Sequence, residues 1–504
     1  FENEGEASFR DLEKKTWLEV HTQAHVISVG GGFDLDLIDS SWLILWLRRE
    51  TDSPDRIFLD RPSLVDYPRR FQQREMKFQQ RAHFIYTCSE GLVQPDPEEK
   101  RILEFDFRGL GGAVTAPVFD FPETWVEVRD DWPTGRSQFR SPAFFSVRKD
   151  SEAPSGWARI DWDLKRPLPE GLKPFIVSTH EKDLSLFQGF EKSDVILKFC
   201  PRISSWDELR AGLQWQMEAP ANRVFLPRSD DGKWSWFRLY MKGRQPLNFW
   251  REGLGTAPDQ PTLWEWMSHP DHVKEFAAVL GSPIWHSYSP AYHKSFFIRH
   301  RIPFYRIQLE EAEWEEALKF LEELGLVAAA VTSPLKKKAG EWLGQKPLNT
   351  LVREALQFEW RGANTDSIGA DKLLGPFQNE VCVVWGGGGV LPSLQPLLPK
   401  ASFYSSKSAS PRPGFASVES PEILIWADPF DSVQRVPSYW QPKQVVDLSY
   451  HDHSFGRLFA QVRKIPYLSG LEMFIHQAQA QQKIWREEIE KRKSQALDRQ
   501  STES

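Results

Sequence analysis

Gly281-Ser282-Pro283-Ile284-Trp285-His286-Ser287-Tyr288-Ser289-Pro290 opens the stretch that decides how this chain reads. Val331-Thr332-Ser333-Pro334-Leu335-Lys336 continues it, and Gly362-Ala363-Asn364-Thr365-Asp366 closes it just before Gly369. Each piece is short, polar and loop-like, and each stands beside an apolar run. Val327 to Val331 predicts a buried strand. Pro334 cannot continue a central strand, so the chain turns at Thr332-Ser333-Pro334. That turn sets Thr332 and Lys336 at the carboxyl end of a strand, where open α/β sheets bind ligands. Taken alone, Lys336-Lys337-Lys338 reads as a basic surface turn.

Together these residues resemble shikimate dehydrogenase. Ser287 and Ser289 stand as its Ser-x-Ser loop, Val331 to Lys336 as its Val-Thr-x-Pro-x-Lys turn, and Asn349-Thr350 and Asn364-Thr365-Asp366 as its two Asn-Thr elements. Their order along the chain is specific where each alone is not. The resemblance implies that Lys336 and Asp366 act as a pair and that Ser287, Ser289, Thr332 and Asn349 bind substrate hydroxyls and carboxylate. The chemistry suits the residue types. A ketone reduced by hydride needs a proton for its developing alkoxide, a positioned lysine can polarise and protonate it, and a carboxylate keeps the lysine oriented.

Downstream, Val381 to Trp385 predicts a strand, followed by Gly386-Gly387-Gly388-Gly389 and an apolar helix to Leu398. Strand, glycine turn and helix N-terminus form the dinucleotide arrangement, in which glycines let a pyrophosphate approach. The next strand, Ala401 to Tyr404, ends in Ser405-Ser406-Lys407. The resembled family holds the 2′-phosphate of NADP there, and Lys407 or the displaced Arg412 could supply the charge; a surface turn of serine and lysine is the other reading. Val445 to Tyr450 resembles the family's late strand, with Tyr450 near nicotinamide or substrate. Gly470, grouped with the cofactor-binding residues, leads into a helix that runs to about Arg492 and carries Gln477, which the family uses to touch substrate. Glu310 to Glu323 has helical apolar spacing at Trp314, Leu318 and Leu321.

The chain has 504 residues, 40% hydrophobic and 13% aromatic, enough for several packed cores. Its net charge of −7 gives no overall basic field for nucleic acid. Cys88, Cys200 and Cys382 are isolated, which points to a reducing, cytoplasmic compartment without a disulfide frame. The most apolar run, Trp42 to Leu47, is too short to span a bilayer. The first residue is Phe rather than Met, so a truncated chain is expected. No membrane partner and no metal are expected, and a homodimer is possible.

Residues 1–95 begin with a helix-like segment around Gly5 to Glu13, a strand candidate at Val26 to Val29 and the turn Gly30-Gly31-Gly32. Trp42 to Leu47 follows as a strand, then Arg61 and a basic helix with Arg74. A bare glycine triplet is more often a turn than a ligand loop. In this order the segment is similar to the later part of shikimate kinase. The resemblance implies that Arg10, Gly30, Gly31, Gly32 and Arg74 bind shikimate and that Arg61 lies near ATP phosphates. Arginine reads both carboxylate and phosphate bidentately. No Gly-x-x-x-x-Gly-Lys-Ser/Thr loop occurs in the chain, so ATP is expected only if such a loop precedes Phe1.

Between residues 100 and 268, strand candidates recur at Arg101–Phe107, Trp125–Arg129, Ala143–Val147, Ala158–Leu164, Pro174–Ser178, Asp194–Phe199 and Arg223–Leu226, with a helix over Ser205–Glu218. The alternation predicts a parallel α/β domain of (β/α)8 type. His180 follows one strand end, and Lys198 is embedded in Val195-Ile196-Leu197-Lys198-Phe199. A lysine in an apolar strand must be neutral or paired. A buried structural lysine with a carboxylate partner is one reading; a desolvated nucleophile of lowered pKa is the other.

The two segments resemble type I dehydroquinate dehydratase, with Glu127-Val128-Arg129, Arg148 and Ala257-Pro258-Asp259-Gln260 in support. The resemblance implies a Schiff base on Lys198, His180 as proton-transfer base oriented by Asp163, and Glu127, Arg129, Arg148, Arg238, Thr256 and Gln260 as substrate-binding residues. The short spacing from His180 to Lys198 implies a trimmed helix. The family's Ser-Arg pair is broken, since Trp236-Phe237 separates Ser235 from Arg238.

The expected architecture is α/β and multidomain: 1–95 kinase-like, 100–268 barrel, 270–375 dehydrogenase substrate domain, 376–466 Rossmann NADP domain, and 467–504 a returning helix with a frayed tail. The order kinase, dehydratase, dehydrogenase resembles the C-terminal part of the pentafunctional aromatic-biosynthesis polypeptide; bifunctional dehydratase–dehydrogenases share the last two. The expected substrates are dehydroquinate, dehydroshikimate and shikimate. The competing expectation is a catalytically inactive regulator resembling fungal quinate repressors.

Overall fold

The computed structural model describes residues 5–21, 27–29, 33–38, 44–49, 84–88, 112–115, 124–131, 141–149, 155–190, 194–251, 255–267, 269–284, 287–357, 359–387, 391–428, 430–450 and 454–503. They fall into two compact units, divided in sequence between His272 and Val273.

In the first unit, helix α1 (Gly5–Val20) buries Trp17 against Phe33, Leu35 and Ile38. Strands β1 (Leu45–Arg49) and β2 (Phe84–Cys88) form a two-stranded sheet, so the strand expected over Trp42 to Leu47 lies further along the chain. Ile27 to Val29 form no strand. The strand expected over Arg101 to Phe107 lies outside the described residues.

Seven parallel strands make the unit's main sheet in sequential order: β3 (Ala113–Thr115), β4 (Trp125–Arg129), β5 (Ala143–Val147), β6 (Ile160–Asp163), β7 (Ile176–Thr179), β8 (Ile196–Phe199) and β9 (Arg223–Phe225). Their apolar runs suit a parallel sheet covered on both faces. Ala113 makes one further parallel bridge, to Phe249, through N–H···O bonds of 2.6 and 3.0 Å with Asn248 and Trp250. Register aligns Asp163, Ser178, Lys198 and Val224 across four neighbouring strands. Helix α2 (Trp206–Glu218) is closed by a capping box between Ser205 and Glu208. Its Gly212 must be glycine, because a Cβ there would lie 2.1 Å from the Phe225 ring. Between His180 and Lys198 the described residues hold only a 3-10 turn, Leu184–Phe187.

The second unit holds two sheets. The first has the order β11-β10-β12-β13-β14, with β10 (Phe276–Gly281), β11 (Phe304–Gln308) and β12 (Leu326–Val331) parallel, and β13 (Thr350–Arg353) and β14 (Trp360–Ala363) antiparallel. Pro334 ends β12 as expected; Thr332 N–H returns to Leu280 O at 2.9 Å, so the turn sits over the end of β10. The second sheet has the order β17-β16-β15-β18-β19-β20, built on β15 (Cys382–Gly386), β16 (Ser402–Ser405), β17 (Ser410–Pro411), β18 (Ile423–Ala427), β19 (Gln444–Asp447) and β20 (Tyr467–Leu468).

Two helices differ from expectation. The helix expected to reach Leu398 covers only Leu391–Leu394, because the residue before Pro396 is disfavoured in helical conformation. The last helix, Leu471–Glu503, continues past Arg492 where fraying was expected. Its Trp485 and Ile489 join the core of the first sheet beside Ala277, Val279 and Val352, which anchors it there.

Candidate functional site

Two sites emerge, each built around a lysine at the carboxyl end of a parallel sheet. In the first unit a cavity of ≈ 250 Å³ is lined by His180, Lys198, Glu127, Arg129, Arg148, Arg238, Thr256 and Gln260. These residues come from six separate segments of the sequence, and the fold brings them to one cavity. Asp163, Cys200, Leu226, Arg228, Phe249 and Ala257 complete the lining.

Lys198 is only 2% exposed, but its surroundings are not apolar alone. Its ammonium bonds Asp161 and lies 3.6 Å from Glu127. Of the two readings of this lysine, the geometry shows the one with carboxylate partners, above the rings of Phe249 and Phe144 at 5.2 and 5.9 Å. The two acids are tied in turn. Thr115 donates to Glu127 at 2.6 Å, the Ser146 hydroxyl lies 2.7 Å from Glu127 and 2.9 Å from Asp161, and Arg148 reaches Asp161 at 2.8 Å and Glu127 at 3.3 Å. Burial alone would raise both carboxyls, yet Lys198 and then Arg148 outweigh it and hold each at about 2.

His180 Nδ1 is 3.0 Å from Asp163, and Asp163 sits at about 2 against its own desolvation, chiefly through that bond. Burial first, opposed by Asp163, moves the His180 pKa below its usual value. The imidazole is thus neutral at pH 7, with Nδ1 engaged and Nε2 available. Two expected ligand groups turn out to be engaged by the protein. Arg238 Nε and a terminal nitrogen donate to Pro227 O at 3.1 and 3.0 Å. Gln260 Oε1 accepts from the backbones of Thr256 and Ala257 at 2.8 and 3.2 Å.

In the second unit Lys336 Nζ meets Asp366 at 2.6 Å, both partly exposed. Asn349 ties the pair to the sheet: its Nδ2 donates to Asp366 at 2.9 Å, and its Oδ1 accepts the Thr365 N–H at 2.9 Å and the Thr350 hydroxyl at 2.8 Å. The Tyr450 ring lies 4.6 Å from that of Tyr288, tilted by 40°, and the Tyr288 hydroxyl donates to Tyr450 O at 3.3 Å. Burial first, then the Asp366 charge, pushes the Tyr450 phenol up to about 12. Ser289 N–H donates to Ser287 at 3.2 Å, and Thr332 stands at the turn before Lys336. Gln477 is half-buried on the last helix.

Sequence reasoning missed Gln481, one turn beyond Gln477. It donates to Asn349 O at 2.8 Å and accepts from, or pairs with, fully buried His293 at 3.1 Å. The i, i+4 spacing from Gln477 was the available signal. Asp161 was missed for a comparable reason: it precedes Asp163 by two residues, so both point to one face of β6.

The glycine turn after β15 presents bare backbone at a strand end. Gly386 and Gly387 take φ of 85 and 63°, and a Cβ on Gly386 would lie 2.7 Å from the Cβ of Asp428. Gly388 and Gly389 lie outside the described residues, as do Gly30, Gly31, Gly32, Arg61 and Arg74. The four-residue helix is too short to present a useful dipole. Lys407 is exposed in the turn after β16. Arg412 instead reaches Gly386 O at 3.3 Å, and its buried Nε has no partner among the described residues, a feature that fits a phosphate at this turn. Gly470 packs tightly, with Leu448 O 2.5 Å from where a Cβ would stand. Arg10 pairs with Glu13 on α1.

Residues 279–357 match the family described as the shikimate dehydrogenase substrate binding domain, and residues 1–104 match shikimate kinase. The shikimate dehydrogenase (NADP(+)) of Maridesulfovibrio salexigens is 23% identical over 245 residues, 41% of this chain and 89% of that protein. Its counterpart from Syntrophobacter fumaroxidans is 31% identical over 128 residues, 23% of this chain and 43% of that protein. The chain thus spans most of the first relative and under half of the second. Among solved structures, shikimate dehydrogenase from Aquifex aeolicus aligns with a TM-score of 0.33 at 20% identity, over 42% of this chain and 92% of its own. Among the described residues, no helix is long and apolar enough to cross a membrane.

Proposed function

We propose that this chain performs two consecutive steps of the shikimate pathway: dehydration of 3-dehydroquinate in the first unit and NADPH-dependent reduction of 3-dehydroshikimate in the second. The observation that carries the reduction is the Lys336–Asp366 pair of 2.6 Å, braced by Asn349 at the end of β12. It lies at and just beyond the stretch similar to the dehydrogenase substrate domain. Bound at the glycine turn, NADPH would supply the hydride. Lys336 holds a proton against the ketone oxygen and neutralises the alkoxide as it forms, while Asp366 and Asn349 fix its ammonium. Ser287, Ser289, Thr332, Tyr450 and Gln477 hold the substrate's hydroxyls and carboxylate. With a pKa of about 12, Tyr450 stays a hydrogen-bond donor at neutral pH. Gly386, Gly387, Gly470 and the Lys407–Arg412 turn would hold the cofactor, with Arg412 closest to the glycine backbone.

For the first unit, the seven sequential strands and the Ala113–Phe249 bridge support a (β/α)8-type barrel, with no α-helix among the described residues between β6 and β8. Lys198 attacks the ketone carbon, and the carbonyl oxygen leaves as water, giving an imine. The hydrogens of that water come from the Lys198 nitrogen, and Asp161, which bonds that nitrogen, faces the imine that replaces the amine. His180 Nε2 then takes a proton from the carbon alpha to the imine. The electrons move to the imine nitrogen and return to expel the β-hydroxyl as water. Residues 1–95 would be the later part of a kinase-like domain, whose phosphoryl transfer would need an ATP-cradling loop that these residues do not contain.

The Lys198 ion pair and the four-residue helix favour a second reading, a metabolite-binding regulator that keeps the ligand groups and performs no chemistry. One assay separates them. Dehydroquinate with NADPH should oxidise the cofactor, and dehydroshikimate alone should do so without a lag. Failure of both supports the regulator; failure of dehydroquinate alone removes the dehydratase.

A further inference from the structure

We propose that Arg228, rather than Arg238, is the residue that grips a ligand carboxylate in the first unit's cavity. The inference rests on that cavity being a substrate site. Five cationic side chains line it: Arg129, Arg148, Lys198, Arg228 and Arg238. Among the described residues four are already engaged. Arg129 clasps Asp131 through Nε and a terminal nitrogen at 2.7 and 2.6 Å. Arg148 and Lys198 share Asp161 and Glu127. Arg238, 3% exposed, spends its nitrogens on the carbonyls of Leu226 and Pro227.

Arg228 differs. Its Nε donates to Cys200 O at 2.7 Å, and no carboxylate among the described residues lies within ion-pair reach of its terminal nitrogens. Its backbone is pinned on both sides, with its N–H on Pro201 O and its C=O on Ile203 N–H, each at 3.0 Å. The guanidinium is thus held, through Cys200 O, just beyond the end of β8, the strand that bears Lys198. Its terminal N–H pair, the edge that matches a carboxylate bidentately, is left for the cavity. Burial, and more weakly the like charge of Arg228, depress the Arg238 pKa. An anion at Arg228 relieves that repulsion. A carboxylate here with a ketone at Lys198 describes one ligand class, a hydroxylated ring monocarboxylate bearing a ketone.

A site-local readout tests this in the full chain, where other sites also bind such acids. Quinate, which has the ring and carboxylate but no ketone, should protect Lys198 from reductive methylation by formaldehyde and borohydride, followed by peptide mass mapping. Arg228→Gln should raise the half-protecting quinate concentration at least about tenfold, and Arg228→Lys by an intermediate factor, as expected for a truncated charge pair. Urea midpoints of both variants report folding, and Arg228→Lys keeps the charge if Arg228→Gln unfolds. Protection of Arg228→Gln within about twofold of wild type, or no protection of wild type at all, overturns the inference. Arg228-dependent protection without dehydroquinate turnover leaves it standing and removes the dehydratase reading. Turnover with Arg228-independent protection does the reverse.

Discussion

The two lysines occupy opposite electrostatic settings. Lys198 is sealed, 2% exposed, between two carboxylates that share it with Arg148; Lys336 has one aspartate, and a third of its side chain meets solvent. A sealed network is suited to holding a covalent intermediate away from water. An open pair is suited to delivering a proton and recovering it from solvent within each turnover. The contrast teaches that a lysine embedded in an apolar run of sequence need not sit in apolar surroundings, because another strand of the sheet can bring an acid beside it.

The largest expected effect tests the open site. Lys336→Ala should lower kcat for dehydroshikimate reduction by about 10²–10⁴, the range for loss of a positioned acid, with dehydroquinate dehydration retained; steady-state NADPH oxidation and enone absorbance report the two. Next comes stability. Asp161→Ala strips a buried ion pair of one partner and should destabilise the first unit by about 3–5 kcal/mol. Asp366→Ala, acting on a solvent-screened pair, should cost under about 1 kcal/mol. Urea unfolding of both variants would collapse the comparison if the two losses were equal.

Acid separates the units further. Glu127, Asp161 and Asp163 have folded pKa values of about 2, below their unfolded ones, so their stabilisation is present above about pH 4.5 and is lost as pH falls toward 2. Asp447, buried between Ser454 and Tyr467, is raised to about 6 by desolvation. Its folded form holds the proton more tightly, so it stabilises below the unfolded value near 4 and loses that contribution as pH rises through 6. Asp447→Asn should flatten the second unit's stability between pH 4 and 6 and leave the first unit's acid limb unchanged, as read by urea melts across that range. The smallest effect is expected at Gln481→Ala. Loss of its bond to Asn349 O should raise KM for dehydroshikimate severalfold, a change of about 1 kcal/mol, with kcat nearly retained.

Much of this was legible in the sequence, and the gaps have physical causes. Parallel strands read as apolar runs, and Pro334 marked the end of β12, so the lysine turns could be placed. The acids that pair with Lys198 could not. Asp161 on β6 meets Lys198 on β8 across the intervening β7, a tertiary fact without a local signature. The helix after Gly387 stops short of Leu398 because Pro396 interrupts a run otherwise rich in leucine. Arg228 follows a proline in a polar loop, and only the Cys200 carbonyl shows why it is held.

The most direct measurement is borohydride reduction of the full chain with dehydroquinate, followed by mass mapping of the lysines. The account predicts a substrate-dependent adduct on Lys198, absent from Lys198→Ala, and none on Lys336. No adduct on the wild type, or an adduct on Lys336, would contradict it.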